Sequence, residues 1–164
     1  MQTKFIKIFE RKYVKMDVKD CMSTKVCFCT PNSSVKDAAK LMCDNHVGCI
    51  PVCNDDNCVV GLITDRDIIL RSIACDKDVC KTKVTDIMTC NPCCCSPNTT
   101  IDEATKVMSN LQIRRMPVCD SNNKIVGILT LGDLAHHDKE IGEKEVCNTL
   151  ENICGCDGNT KNAE

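Results

Sequence analysis

From Val18 onward the chain runs through a fixed succession of apolar and polar positions, and from Val84 it runs through the same succession again. Val35, Ala38 and Met42, and later Ile101, Ala104 and Met108, fall at helical spacing, so each copy holds a helix with one apolar face. Ser34 with Asp37, and Thr100 with Glu103, stand at the spacing of a capping box and start these helices. A short extended segment precedes each helix, Val26–Cys29 in the first copy and Pro92–Cys95 in the second. Beyond each helix, polar turns at Asn54–Asn57 and Asp120–Asn123 join two apolar runs that read as strands. Gly61 and Gly127 lie within the second strand of each pair, where a missing side chain lets another group approach the backbone. A second helix starts at Thr64 or Thr130.

Sliding Val18–Ile68 onto Val84–Leu134, an offset of 66 residues with no gap, gives 18 identities in 51 pairs. Unrelated sequences would give about three, at roughly 6% chance identity. The repeat therefore fixes two equivalent α/β halves, each strand, helix, strand, strand, helix. With 164 residues the chain makes one ordinary domain or two small ones.

Composition narrows the function classes. Net charge is -2, from 21 basic and 23 acidic residues, so no overall field favours nucleic acid or an anionic membrane. The chain has three Phe, one Tyr and no Trp, too few for a base-stacking platform. No apolar run approaches the roughly 18 to 20 residues of a membrane span, and no signal-peptide pattern opens the chain, which reads as soluble and cytoplasmic.

Cysteine is the outlier, at 17 residues, an odd number. Cys27, Cys29, Cys49, Cys53, Cys58 and Cys119 fall on strand positions, where a thiol serves as a small hydrophobe. Cys90, Cys93, Cys94 and Cys95 form the densest cluster and are the candidate metal ligands, with Cys147, Cys154 and Cys156 near the C-terminus. Only Cys90 and Cys93 make a C-x-x-C pair, without a second pair at zinc-ribbon spacing.

The organisation is read as a basic amphipathic segment at 1–17, repeats at 18–75 and 84–137 around a linker at 76–83, and a tail at 138–164. Phe5, Phe9, Tyr13 and Met16 at helical spacing suit a terminal helix packed on its own domain, or a helix lying on a membrane surface. In the tail a short helix near 141–150 is expected, then disorder.

Ile50-Pro51-Val52 and Met116-Pro117-Val118, each followed at one spacing by Gly61 to Asp67 or Gly127 to Asp133, resemble the cystathionine-β-synthase (CBS) domain over residues 18–134. That resemblance implies two motifs related by a pseudo-twofold axis, a Bateman module that pairs into a homodimer. It also implies adenosine-nucleotide binding in the cleft between motifs. Thr64 with Asp67, and Thr130 with Asp133, equally have the spacing of a further capping box. The same geometry offers helix amides and a hydroxyl to a phosphate and a carboxylate to a ribose diol.

By the resemblance, one pocket uses Thr130 and Asp133 with Thr24, Lys25, Val26, Val47 and Gly48. The other uses Thr64, Arg66 and Asp67 with Cys90, Asn91, Ile113, Arg114 and Arg115. Arg114 and Arg115 are the candidate phosphate partners, since a guanidinium fork matches phosphate oxygens. Pro92 removes one amide from the second pocket's base-reading segment. The pockets also differ because Arg66 stands opposite Gly132, and Gly48-Cys49 opposite Arg114-Arg115.

No phosphate loop, G-x-G-x-x-G or nucleophile elbow is present, and the three histidines are His46, His136 and His137, the last two candidates to assist a metal. The expectation is a non-catalytic, energy-sensing regulatory module that requires no cofactor. It binds AMP, ADP, ATP or S-adenosylmethionine and signals to a separate protein. The competing expectation is a cysteine-based metal or redox module with vestigial clefts, and a third is a structural interaction scaffold.

Overall fold

The computed structural model describes residues 16–155. The expected helix over residues 4–16 and the end of the tail lie outside them, Met16 apart. In the first repeat α1 (Val35–Asp44) is followed by β1 (Cys49–Cys53), β2 (Val59–Thr64) and α2 (Asp65–Arg71). After β3 (Thr89–Cys90) the second repeat gives α3 (Ile101–Leu111), β4 (Arg115–Cys119), β5 (Ile125–Thr130) and α4 (Leu131–His136). Two further helices close it, α5 (Asp138–Ile141) and α6 (Glu143–Cys154).

The first-turn amides of Asp37 and Glu103 bond to the hydroxyls of Ser34 and Thr100, as the capping pattern requires. Val35, Ala38 and Met42 face one core; Ile101, Ala104 and Met108 face another. The hairpins β1–β2 and β4–β5 share one register, with a bulge at Val52/Cys53 and at Val118/Cys119. Their turns close on Asn57 (φ 62°) and Asn123 (φ 60°), left-handed positions that asparagine tolerates.

Cys58 pairs with Lys124, its own equivalent in the other repeat. The Val59 amide donates to Asn123 O and the Ile125 amide to Asn57 O, both at 3.2 Å. Exchanging the repeats maps this pair of bonds onto itself, so the pseudo-twofold axis passes here. Beside it Cys53, Val59 and Cys119 form a small buried cluster with Cys94 and Ile125 packed against it.

The segments that lead into the repeats are exchanged. Val18 and Cys21 are buried with Ile101, Ala104, Met108 and Leu129 of the second repeat, whereas Val84 and Ile87 are buried with Val35, Ile50 and Ile63 of the first. The backbone follows: Val18 N donates to Thr99 O and Val84 N to Ser33 O, each at 2.9 Å. β3 then adds to β2 as an edge strand, and Ser23 makes the equivalent single bridge to Ile128. Each half is completed by chain that precedes the other.

Gly61 and Gly127 are explained by this exchange. A Cβ at either position would fall on the thioether of Met88 or of Met22, carried in by the crossing segment.

Two expectations need correction. The leading segments Val26–Cys29 and Pro92–Cys95 are not strands; each makes one parallel bridge, Cys29 to Val52 and Cys95 to Val118. Proline stops both ladders at once. The next donor on one side would be the amide of Pro31 or Pro97, and on the other that of Pro51 or Pro117, and none of them exists. The tail helix is also longer than the expected 141–150. It runs Glu143–Cys154 because Val146 and Ile153 pack on the second core, and it stops at Gly155 (φ 44°). Among the described residues no helix is long and apolar enough to cross a membrane.

Candidate functional site

A cleft of about 460 Å³ opens where the two repeats meet, within the size range of small-ligand pockets. From the first repeat it is lined by Thr64, Asp65, Arg66 and Asp67 at the β2–α2 junction. Thr89, Asn91, Pro92 and Cys93 supply one wall, and Ile113, Arg114 and Arg115, entering β4, supply another. The structure thus brings together in one cavity Thr64, Arg66, Asp67, Asn91, Ile113, Arg114 and Arg115, all residues that the resemblance assigned to one pocket. Cys90 is next to this wall but does not line it. Lining residues that sequence reasoning missed are Cys49, Leu62, Asp65, Thr89, Cys93, Leu111 and Pro117.

The α2 start is a complete capping box. Asp67 Oδ2 accepts from the Thr64 amide at 2.9 Å and from the Thr64 hydroxyl at 2.7 Å, while Thr64 Oγ1 accepts from the Asp67 amide at 3.1 Å. Asp67 Oδ1, the oxygen left for a diol, faces Arg71 Nη1 at 3.3 Å. Arg71 in turn donates to Ile87 O at 2.9 Å, tying α2 to the crossing segment.

The expectation of open amides at this helix is corrected. Asp65 N donates to Gly48 O at 3.1 Å, Arg66 N to Asp65 Oδ1 at 2.8 Å, and Asp67 N to Thr64. The aspartate before Arg66 reaches back and occupies the amide that a phosphate would use. The Thr64 hydroxyl likewise already donates to Asp67.

Around Asp133 the arrangement differs. Thr130 and Asp133 form the same box, with the amide of Thr130 to Asp133 Oδ2 at 2.8 Å. Its other oxygen, Oδ1, accepts from the Ser23 hydroxyl at 2.9 Å. Leu131 cannot bond as Asp65 does, so among the described residues the Gly132 amide has no protein partner. Thr24, Lys25 and Val47 are exposed and Val26 is half-buried. Gly48, expected with this group, has Asp65 and Arg115 as neighbours, so it sits between the two sides. His137 donates from Nδ1 to the Asp133 carbonyl at 3.0 Å, and His136 is exposed.

Burial pushes the Cys49 thiol up to about 12, with Arg115 opposing the shift. Burial does the same to Cys95 and Cys119, each to about 12, reinforced by Cys94. Cys90 and Cys93 are exposed, Cys94 and Cys95 half-buried, and among the described residues no three His, Cys, Asp or Glu side chains are grouped as a metal ion requires.

The family model that matches the chain is the CBS domain, at residues 18–73 and again at 84–140. The chain belongs to the CBS-domain family, as a pair of CBS repeats. The CBS domain-containing protein YhcV of Bacillus subtilis is 42% identical over 118 residues, 72% of this chain and 82% of that protein. The solved structure of Arabidopsis thaliana CBSX2 in complex with AMP is 28% identical, with a TM-score of 0.66, covering 76% of this chain and 97% of that one. Hypoxic Response Protein I, known from Mycobacterium tuberculosis and solved with two coordinated zinc ions, is 30% identical, with a TM-score of 0.69, covering 74% of this chain and 98% of its own.

Proposed function

We propose that the chain is a non-catalytic regulatory module that binds an adenosine nucleotide between its two repeats and signals to a separate protein. The observation that carries this reading is the cleft itself, which joins Thr64 and Asp67 of one repeat to Asn91, Ile113, Arg114 and Arg115 of the other. A ligand held there touches both halves, so it favours one arrangement of them. A partner that prefers the same arrangement then binds better by the same coupling, typically about 1 to 3 kcal/mol. AMP in the CBSX2 structure supports the ligand class.

Asp67 would accept from the ribose diol after releasing Arg71, and the arginines would hold phosphate. The Asp133 side, with Thr24, Lys25, Val26 and Val47, is the second candidate pocket. Sixteen free thiols among the described cysteines support a reducing, cytoplasmic setting. The exposed Ile69, Leu70 and Ile73, on α2 and the turn after it, support a homodimer. As an energy sensor the module would distinguish AMP, ADP and ATP.

The test is a thermal-shift panel under reducing conditions with ATP, ADP, AMP, S-adenosylmethionine, GTP and zinc, repeated on Asp67→Ala and Asp133→Ala. Ligand at 100 times its dissociation constant adds about 2.7 kcal/mol, roughly 5 to 10 °C for a chain of this size. A shift with an adenosine compound that one aspartate substitution removes is the expected result. Zinc in the Hypoxic Response Protein I structure favours the second reading, in which Cys90, Cys93, Cys94 and Cys95 bind metal or sense redox state. A shift with zinc alone, indifferent to both aspartates, would replace the first reading by the second.

A further inference from the structure

We infer that the Asp67 cleft takes a nucleoside polyphosphate, with two or more phosphates, in preference to a monophosphate; this rests on the nucleotide reading above. The pseudo-twofold axis supplies an internal control, because every residue of the Asp67 side has an equivalent on the Asp133 side. Arg66, Arg114 and Arg115 line the Asp67 cleft. By the 66-residue offset their counterparts are Gly132, Gly48 and Cys49, none of which carries a charged side chain. The Asp133 group has Lys25 as its one named cation, opposite Asn91.

These guanidinium groups are not holding the fold together. Among the described residues none of the three makes an ion pair, and Arg66 and Arg114 are exposed. The cleft's carboxylates do not cancel them. Asp67 is matched by Arg71 at 3.3 Å, and Asp65 has one oxygen on the Arg66 amide. Three unmatched arginines against one remaining acid leave an excess of positive charge facing the cavity.

A monophosphate carries about two negative charges at neutral pH and presents its oxygens at one point, which one or two forks satisfy. A di- or triphosphate extends along the wall, so that separate phosphates meet separate forks. The helix start cannot substitute for them, since the amides of Asp65, Arg66 and Asp67 are all occupied. Phosphate recognition on this side therefore falls to the arginines, and their number sets the class of ligand.

Titration calorimetry on the full chain with ATP, ADP, AMP and adenosine tests this, using the natural protein, Asp67→Ala, Asp133→Ala and the double variant Arg66→Gln/Arg114→Gln. Circular dichroism checks that each variant folds. In Asp133→Ala, ATP should bind at least about tenfold tighter than AMP, the scale of one charged hydrogen-bonding contact. That margin should shrink with added salt and collapse in the double variant, while adenosine affinity stays the same. ATP and AMP binding equally at a cleft that Asp67→Ala abolishes would overturn the inference and leave the nucleotide reading intact. So would a margin that survives loss of both arginines. Binding of no adenosine compound by any of the proteins would instead overturn the nucleotide reading itself.

Discussion

Because the leading segments cross, Val84 should behave energetically as a residue of the first repeat although it opens the second. Its side chain is fully buried with Val35, Ile50 and Ile63, and its amide bonds to Ser33 O at 2.9 Å. Val84→Ala removes two methyl groups, about 1.6 kcal/mol of transfer free energy, and the space left behind raises the cost to about 2 to 3 kcal/mol. At roughly 2 to 4 °C per kcal/mol for a chain of this length, the thermal midpoint should fall by about 4 to 12 °C. The decisive assay is a pair of double-mutant cycles in urea. Val84→Ala combined with Val35→Ala should be non-additive by about 0.5 kcal/mol or more, whereas Val84→Ala with Leu129→Ala should add within about 0.5 kcal/mol. Val18→Ala should give the mirror image, coupled to Ile101 and independent of Val35. Coupling of Val84 to Leu129 but not to Val35 would show that the segments do not cross. A total effect within about 0.5 kcal/mol would show that Val84 is not in a core at all.

Three further expectations follow from the same contacts. Gly61→Ala places a Cβ on the Met88 thioether and should cost about 1 to 3 kcal/mol, a penalty that disappears in a Met88→Ala background; an equal penalty in both backgrounds would refute the contact. Without ligand, Asp67→Ala and Asp133→Ala should each lower urea stability by about 1 to 2 kcal/mol through loss of the capping box, with the half-exposed Arg71 adding little for Asp67; no change would mean that the boxes do not form. Cys49, Cys95 and Cys119 have folded-state values raised from 9.0 to about 12, so the folded chain holds protons that the unfolded chain releases. Their contribution is complete below pH 9 and is lost as pH rises toward 12; urea midpoints that do not fall between pH 8.5 and 11 would contradict this burial.

The helices and hairpins were legible because their signals are local. A capping pair, a three-and-four apolar spacing and a polar turn each specify an element from within about ten residues, and duplication checked every one. The crossing of the leading segments was not legible for a physical reason. Val18 and Val84 are equally apolar and equally placed, and pattern alone does not say which of two similar cores a residue enters. The shortened leading strands were readable in principle. Pro31 and Pro51, like Pro97 and Pro117, remove the donors on either side of one bridge, but this appears only once the register is known.

For the cleft, periodicity gave nothing, and it was the family resemblance that brought Thr64 and Asp67 together with Ile113 and Arg114. What the resemblance missed is two side-chain contacts at the start of α2. Asp65 occupies the Arg66 amide, and Arg71 occupies the free oxygen of Asp67, both through short side-chain contacts that no motif records.

Those contacts also indicate how a ligand would be felt beyond its pocket. Arg71 holds three groups at once: Asp67 in the cleft, the Ile87 carbonyl, and the Thr89 hydroxyl at 3.4 Å. Ile87 belongs to the first core, Thr89 to the edge strand β3, and Asn91 to Cys93 to the cleft wall. One crossing segment is therefore core, sheet edge and binding surface within seven residues of chain. On the function proposed above, a diol that displaced Arg71 from Asp67 would free a guanidinium whose remaining bonds are to that segment, where the second repeat joins the first. Coupling between the pocket and the relative placement of the repeats needs no longer pathway than this. The Asp133 side lacks the device, since Ser23 binds its carboxylate directly and His137, the equivalent of Arg71, bonds to backbone instead. On the function proposed above, the Asp67 side would therefore be the one that transmits.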